Sequence, residues 1–211
     1  MTTLHYPDNT ATRNTTKAVE VVTDGVEFWG GTQKLRDDRN LLTASAATVT
    51  IVEYGVDIFH QSVVTLADVS VTAANTTGVS FGGTKIVDFP EARVAVLGST
   101  LSTVTCDLTD AGNATPVDGD DNGDIAIGTT VAGDGTLSAA DVNLIPSTAF
   151  AFDTSGVSAA LAAAAQFDGT TTAIDAYLNC LVDDADVADT ASDVLLFSGV
   201  WTVTWLDLGD Y

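Results

Sequence analysis

The acidic run DGDDNGDI, residues 118–125, has the residue types and spacing of a calcium-binding loop. Oxygen ligands recur at loop positions 1, 3 and 5, a glycine makes the turn at position 6, and an apolar residue follows at position 8. Position 12 normally supplies a bidentate acid, and Thr129 stands there instead. The run therefore predicts either a calcium site or a solvated acidic turn, with these candidate ligands: Asp118, Asp120, Asn122 and Asp124.

A second acidic cluster contains the paired carboxylates that glycoside hydrolases use. Its members are Asp183, Asp184, Asp186 and Asp189. Glycoside hydrolysis needs one carboxyl whose pKa is raised by apolar surroundings, whereas a charge block of this kind is typical of an exposed loop. The two histidines, His5 and His60, have no cysteine at zinc-binding spacing, and no glycine-rich phosphate loop is present. We therefore expect a protein that is not an enzyme and needs no cofactor other than possible calcium.

The chain contains two cysteines, Cys106 and Cys180. They are far apart in sequence, so the sequence alone does not place them together. Two interpretations stay open, namely one disulfide or two small buried apolar side chains.

The clearest structural element is the C-terminal stretch, residues 192–211, in which polar and apolar residues alternate with period two. We predict two strands that meet near Ser198 and Gly199. In the second strand, Trp201, Val203 and Trp205 point to one side, which predicts that these three side chains lie in the core.

Short strands follow one another through the rest of residues 41–211, including a predicted hairpin around Gly98 and Ser99. One alanine-rich segment, residues 158–167, instead predicts a short helix that packs on a sheet. This pattern predicts an all-β protein, a single β-sandwich of jelly-roll type with one short helix.

Residues 1–40 are polar and lack strand periodicity over most of their length. We predict an extended N-terminal arm over residues 1–40 and a β-sandwich domain over residues 41–211. The arm combines basic residues with aromatic side chains of the kind that interfaces favour. The predicted interface residues are Arg13, Lys17, Phe28, Trp29, Lys34, Arg36 and Arg39.

The net charge of −22 is unevenly distributed over the 211 residues. Residues 1–93 contain all seven basic residues and eleven acidic ones, and residues 94–211 contain eighteen Asp and no basic residue. Nucleic-acid binding needs basic groups on phosphates, so we expect no nucleic-acid partner. No apolar run reaches the roughly 18 residues of a membrane span, and residues 1–14 have no apolar signal-peptide core, so we expect no membrane partner.

The C-terminal part of the chain, about residues 86–211, resembles proteins of tailed bacteriophages. The resemblance depends on the sequence AYLN at residues 176–179, an Asp-rich turn, SGVWTVTW at residues 198–205 and the terminal GDY. It implies a structural protein of the virion, of the decoration or cement type, on the exterior of the capsid. It implies no catalytic residues.

We therefore expect a decoration protein that stabilises the head shell through contacts with the major capsid protein and with copies of itself, as a homotrimer. A tail or neck protein on a similar sandwich is the alternative within the virion. A carbohydrate-binding or adhesive β-sandwich module is the alternative outside that class, and it would need exposed aromatic side chains.

Overall fold

The structure is a computed structural model that describes residues 41–56, 58–76, 79–109, 121–152, 157–160, 165–182 and 193–209. These residues form eleven strands and one short 3-10 turn, Ala139–Asp141, and they contain no α-helix. None of their helical segments is long and apolar enough to cross a membrane. The strands are β1 (Thr43–Ala44), β2 (Val49–Val56), β3 (Phe59–Thr76), β4 (Val79–Asp88), β5 (Arg93–Thr109), β6 (Asn122–Gly128), β7 (Ile145–Ala151), β8 (Val157–Ala160), β9 (Ala165–Asp168), β10 (Asp175–Val182) and β11 (Asp193–Asp207).

Strand β11 lies at the centre of the fold and pairs antiparallel with β3 on one side and β5 on the other. Its alternation buries Trp201, Val203 and Trp205 completely. The prediction of two strands meeting near Ser198 and Gly199 was wrong, because β11 continues through this point. The register shifts there against both neighbours, which is the signature of a β-bulge.

Strands β5 and β3 are also long strands that continue through a bulge. The predicted hairpin around Gly98 and Ser99 is wrong, because β5 runs through both residues as one strand. Both neighbours of β11 carry a residue with positive φ, Asp68 in β3 (55°) and Thr103 in β5 (52°), where β11 also shifts register. Ser198 Oγ accepts the Asp68 N–H at 2.9 Å and donates to Asp68 Oδ1 at 3.1 Å. Bulges at one level bend all three strands together, so the sheet curls instead of ending.

All strand pairs are antiparallel, and the strands form a single curled sheet, a half-barrel, in the order β7-β6-β10-β4-β3-β11-β5-β8. Strand β1 adds to β4, β2 adds to β3, and β9 adds to β5. The end of β3 forms a hairpin with β4, and this hairpin connects the half of the sheet that contains β10 to the half that contains β11.

The core lies between the inner faces of these two halves. Phe150 of β7 contacts Phe197 of β11 with ring centroids 6.0 Å apart. Phe89, which follows β4, packs nearly perpendicular to the Trp205 ring, with ring centroids 5.5 Å apart. Large aromatic side chains from opposite halves thus remove their apolar area from water together, which is the main driving force for the curled shape.

The short helix predicted over residues 158–167 was wrong. The described part of this segment forms strands β8 and β9, and both pair with β5. An isolated helix of about ten residues is marginal in water even when it is rich in alanine. The edge of β5 offers backbone hydrogen bonds to the same segment, so tertiary pairing prevails over intrinsic helix propensity.

Candidate functional site

The predicted calcium ligands are only partly within the described residues. Asp118 and Asp120 lie outside them, while Asn122 and Asp124 lie at the start of β6. Asn122 is exposed, and Asp124 Oδ2 accepts a hydrogen bond from Ser147 Oγ of β7 at 2.9 Å. No group of three or more His, Cys, Asp or Glu side chains within the described part of the chain could hold a metal ion. Calcium binding at this run stays a prediction.

Two further sets of predicted residues lie outside the described residues. The first is the acidic cluster of residues 183–189. The second is the whole interface set of the N-terminal arm, which contains Arg13, Lys17, Phe28, Trp29, Lys34, Arg36 and Arg39. The arm and its contacts stay predictions.

A buried polar cluster lies beneath β2, β3 and β11. Trp205 Nε1 donates to Ser62 Oγ at 2.8 Å, and Ser62 Oγ donates to Glu53 Oε2 at 2.7 Å. The other carboxyl oxygen, Glu53 Oε1, accepts the backbone N–H of Leu42 at 3.2 Å. This chain of hydrogen bonds connects the first described residues to the central strand. Burial raises the pKa of Glu53, and the hydrogen bonds from Ser62 and Leu42 oppose that shift.

His60 completes this cluster by stacking on the Trp205 ring, with centroids 4.0 Å apart and planes 15° from parallel. Burial lowers the pKa of His60, and the nearby Asp207 carboxylate partly opposes that change. Ser62 is fully buried, and its proton goes to Glu53 and not to His60. A nucleophilic serine needs an adjacent general base and access to substrate, and Ser62 is buried away from substrate, so this cluster has the arrangement of a structural network.

The two thiols are both free in the structure. Cys180 is fully buried in β10, whereas Cys106 in β5 is half-buried. Burial raises the pKa of each thiol to about 12. Because the thiolate is the reactive form, neither cysteine is a nucleophile at neutral pH.

Asn179 of β10 holds a long connecting segment against the sheet. Its Oδ1 accepts the backbone N–H of Ala132 at 3.0 Å, and its Nδ2 donates to the carbonyl oxygens of Thr130 and Asp141, each at 2.9 Å. Asn179 is fully buried, so its side chain takes the place of water as the hydrogen-bond partner of these three backbone groups. This residue positions the segment between β6 and β7.

The most distinctive surface is the outer face formed by β2, β3, β11 and β5. The strand register aligns outward-pointing side chains of these four strands in successive rows. We call this surface the uncharged face. Its three complete rows are Thr50, Thr65, Val200 and Ser102; Val52, Val63, Thr202 and Thr100; and Tyr54, Gln61, Thr204 and Gly98.

Every side chain in these rows is uncharged, although the whole chain carries a net charge of −22. The only acid in the four strand segments that form the rows is Glu53, which points inward and is buried, as is the adjoining His60. Val52 at 42% and Phe59 at 44% are among the most exposed large apolar side chains in the described residues. A charge-free patch with exposed apolar groups on so acidic a molecule is typical of a contact surface.

The outer face of the other half differs in charge. There Lys85 of β4 forms ion pairs with Asp88 and with Asp175 of β10, the second at 3.0 Å. Asp124 of β6 lies on the same half of the sheet. The three rows of the uncharged face therefore differ in charge from this surface, although the same half carries the exposed Asp68 and Asp107 and the Arg93–Asp168 ion pair beyond the rows.

The uncharged face was not identified from the sequence. Its signal was present, since each of the four strand segments lacks outward-pointing charge, but only the strand order brings them together. No family model, curated protein or solved structure matches the chain significantly. The uncharged face offers hydroxyl, amide and apolar groups but no nucleophile or acid–base pair, so the chemistry that it supports is non-covalent contact.

Proposed function

We propose that this protein is a non-enzymatic structural component of a tailed-bacteriophage virion, a decoration or cement protein on the exterior of the capsid. It stabilises the head shell through contacts with the major capsid protein and with its own copies as a homotrimer. The observation that carries this proposal is the uncharged face of an otherwise strongly acidic molecule.

The charge distribution supports a role in contact. Residues 41–211 contain two basic and 23 acidic residues. Pressing two acidic surfaces together is costly because like charges repel across an interface. A shell protein with this charge therefore contacts its neighbours through surfaces that lack charge and turns its acidic surfaces to water, where they keep the assembly soluble.

The proposed fold class within this function is a sandwich of jelly-roll type. The contact between Phe150 and Phe197 supports it, because it joins the inner faces of two antiparallel halves as in a sandwich. The arm of residues 1–40 is the proposed second contact region, since it is nearly neutral, with five basic and six acidic residues. Its aromatic and basic side chains suit an acidic neighbour.

The carbohydrate-binding alternative has less support. Such a module needs an exposed aromatic platform, but Trp201 and Trp205 are fully buried. Phe59 is the only large aromatic side chain among the exposed apolar residues that the structure describes. A tail or neck location uses the same kind of contact surface and stays the alternative within the virion.

The test is particle association. We expect the full chain in density-purified particles of the phage that encodes it, detected by mass spectrometry and located by cryo-electron microscopy. A variant lacking residues 1–40 should keep its far-ultraviolet circular dichroism spectrum but fail to co-sediment with particles from which the protein has been stripped. A full-length variant with Phe28→Ala and Trp29→Ala is the matched control for loss of the aromatic anchors alone. Absence of the chain from particles contradicts the proposal, and so does full binding by the truncated chain.

A further inference from the structure

We propose that the uncharged face is occupied by the uncharged face of a second copy of this chain, so that two copies pack sheet on sheet about a two-fold axis. This inference rests on the proposed function only in taking the face as a contact surface, and it names the partner. An isologous contact joins copies in pairs, so in a shell it connects neighbouring trimers to one another and does not build the trimer itself.

The charge of the chain favours a second copy as the partner of the uncharged face. Each chain carries a net charge of −22, so two copies repel unless they meet where charge is absent. The outer face of the other half carries Lys85, Asp88 and Asp175, so on that half two copies would bring like charges together. A basic partner would be attracted to those acidic groups and not to a face without charge. The uncharged face is thus suited to a copy of the same acidic chain.

The shape and chemistry of the uncharged face suit packing against another sheet. Sheets that pack face to face lie about 10 Å apart and interdigitate side chains of moderate size. The central row of the uncharged face, Val52, Val63 and Thr202, consists of β-branched residues that suit this packing. A two-fold axis near this row places it against itself, so threonine hydroxyls of one copy meet those of the other and satisfy their hydrogen bonds.

The area of the uncharged face sets the strength of the contact. The three rows span five residues of each strand, so four strands about 4.8 Å apart at about 3.3 Å per residue give a face of roughly 300 Å² on each copy. Two such faces bury about 600 Å² in total, which is below the range of stable specific interfaces. The contact is therefore weak between free chains and becomes strong where many copies are held side by side, as on a shell.

The association is tested on the full chain by sedimentation velocity and light scattering over a range of protein and NaCl concentrations. We expect the mean mass to rise from monomer towards dimer with protein concentration. We also expect the dissociation constant to fall as NaCl is raised, because salt screens the repulsion between the acidic surfaces.

The variants add a charge within the face, in the row next to the central one. Gln61 is exposed, and its neighbours across the strands are Tyr54 and Thr204. Gln61→Glu and Gln61→Lys should each weaken association by about tenfold or more, because each buries an unpaired charge at the contact. The matched controls are Thr72→Glu and Thr72→Lys, at an exposed position of the same strand beyond the bulge. These should change the dissociation constant by less than about twofold, which is within the range of surface substitutions.

The lysine variant separates this contact from a general effect of net charge. Gln61→Lys makes the chain less acidic, so a net-charge effect alone would strengthen association, whereas the proposed contact is weakened. A wild-type chain that stays monomeric at all concentrations overturns the inference, and so does a Gln61→Lys variant that associates as well as Thr72→Lys. A monomeric chain that still joins particles overturns this inference alone, and a dimer that is absent from particles overturns the proposed function alone.

Discussion

Replacement of Trp205 by alanine is the most informative single test of the fold. The Trp205 side chain is fully buried, stacks on His60 at 4.0 Å and packs nearly perpendicular to Phe89 at 5.5 Å. Removing a buried tryptophan ring costs about 3–5 kcal/mol. Ser62 Oγ also loses the donor that lies 2.8 Å away, which adds about 1 kcal/mol. We expect a total loss of about 4–6 kcal/mol, against a usual stability of about 5–15 kcal/mol.

The measurement is urea unfolding followed by far-ultraviolet circular dichroism, because the substitution itself changes tryptophan fluorescence. Trp205→Phe keeps most of the apolar contact and loses the N–H donor, so it should cost about 1–2 kcal/mol. Thr204→Ala is the control on the same strand, at a half-buried position of the outer face, and should cost less than about 1 kcal/mol. A Trp205→Ala variant that unfolds at the same urea concentration as the parent would refute the central position of β11.

Three further predictions concern pH, a loop and calcium. Below pH 4.5, the ordinary pKa of glutamate, Glu53 is protonated in both the folded and the unfolded chain. As the pH rises, the unfolded chain ionises first, because burial raises the pKa of Glu53 in the folded chain. The free energy of unfolding therefore falls until the pH reaches the raised pKa of the folded state. Urea unfolding across this pH range should show the Glu53→Gln variant gaining stability over the parent as the pH rises. The contribution of His60 is common to both chains and cancels in the comparison. A difference in unfolding free energy that stays constant with pH contradicts this reasoning. Asn179→Leu leaves three backbone groups without their partner, so it should lower the free energy of unfolding by about 1–3 kcal/mol. It should also speed limited proteolysis between β6 and β7, and an unchanged cleavage rate would count against this role of Asn179. If Asp118 and Asp120 bind calcium, excess calcium should raise the melting temperature and a chelator should lower it, and no shift in either direction leaves an acidic turn.

The sequence by itself determined the local pattern of the chain. The alternation around Trp201, Val203 and Trp205 was sufficient to place these side chains in the core, because a strand has a strict period of two and large aromatic side chains are buried where they can be. The β-branched composition and the spacing of turn residues were sufficient for an all-β class. The buried face of the strand and the all-β class both depend on residues that are close in sequence, so the sequence is sufficient to predict them.

Tertiary structure decided where strands end and what they adjoin. Ser198 and Gly199 read as a turn in sequence, yet β11 continues through them because β3 and β5 hold it on both sides through a bulge. The alanine-rich segment has the composition of a helix, yet it pairs with β5, because the sheet edge offers backbone partners while a helix of this length is marginal alone.

The uncharged face likewise combines a pattern visible in the sequence with an arrangement that only the tertiary structure provides. Each of the segments that form the uncharged face shows its lack of outward-pointing charge in sequence, but β2 and β11 are far apart along the chain. Only the order β2, β3, β11, β5 and its register place Val52, Val63, Thr202 and Thr100 side by side. A surface is a property of residues that are distant in sequence and close in space, so long-range strand pairing decides it, and local pattern does not contain it.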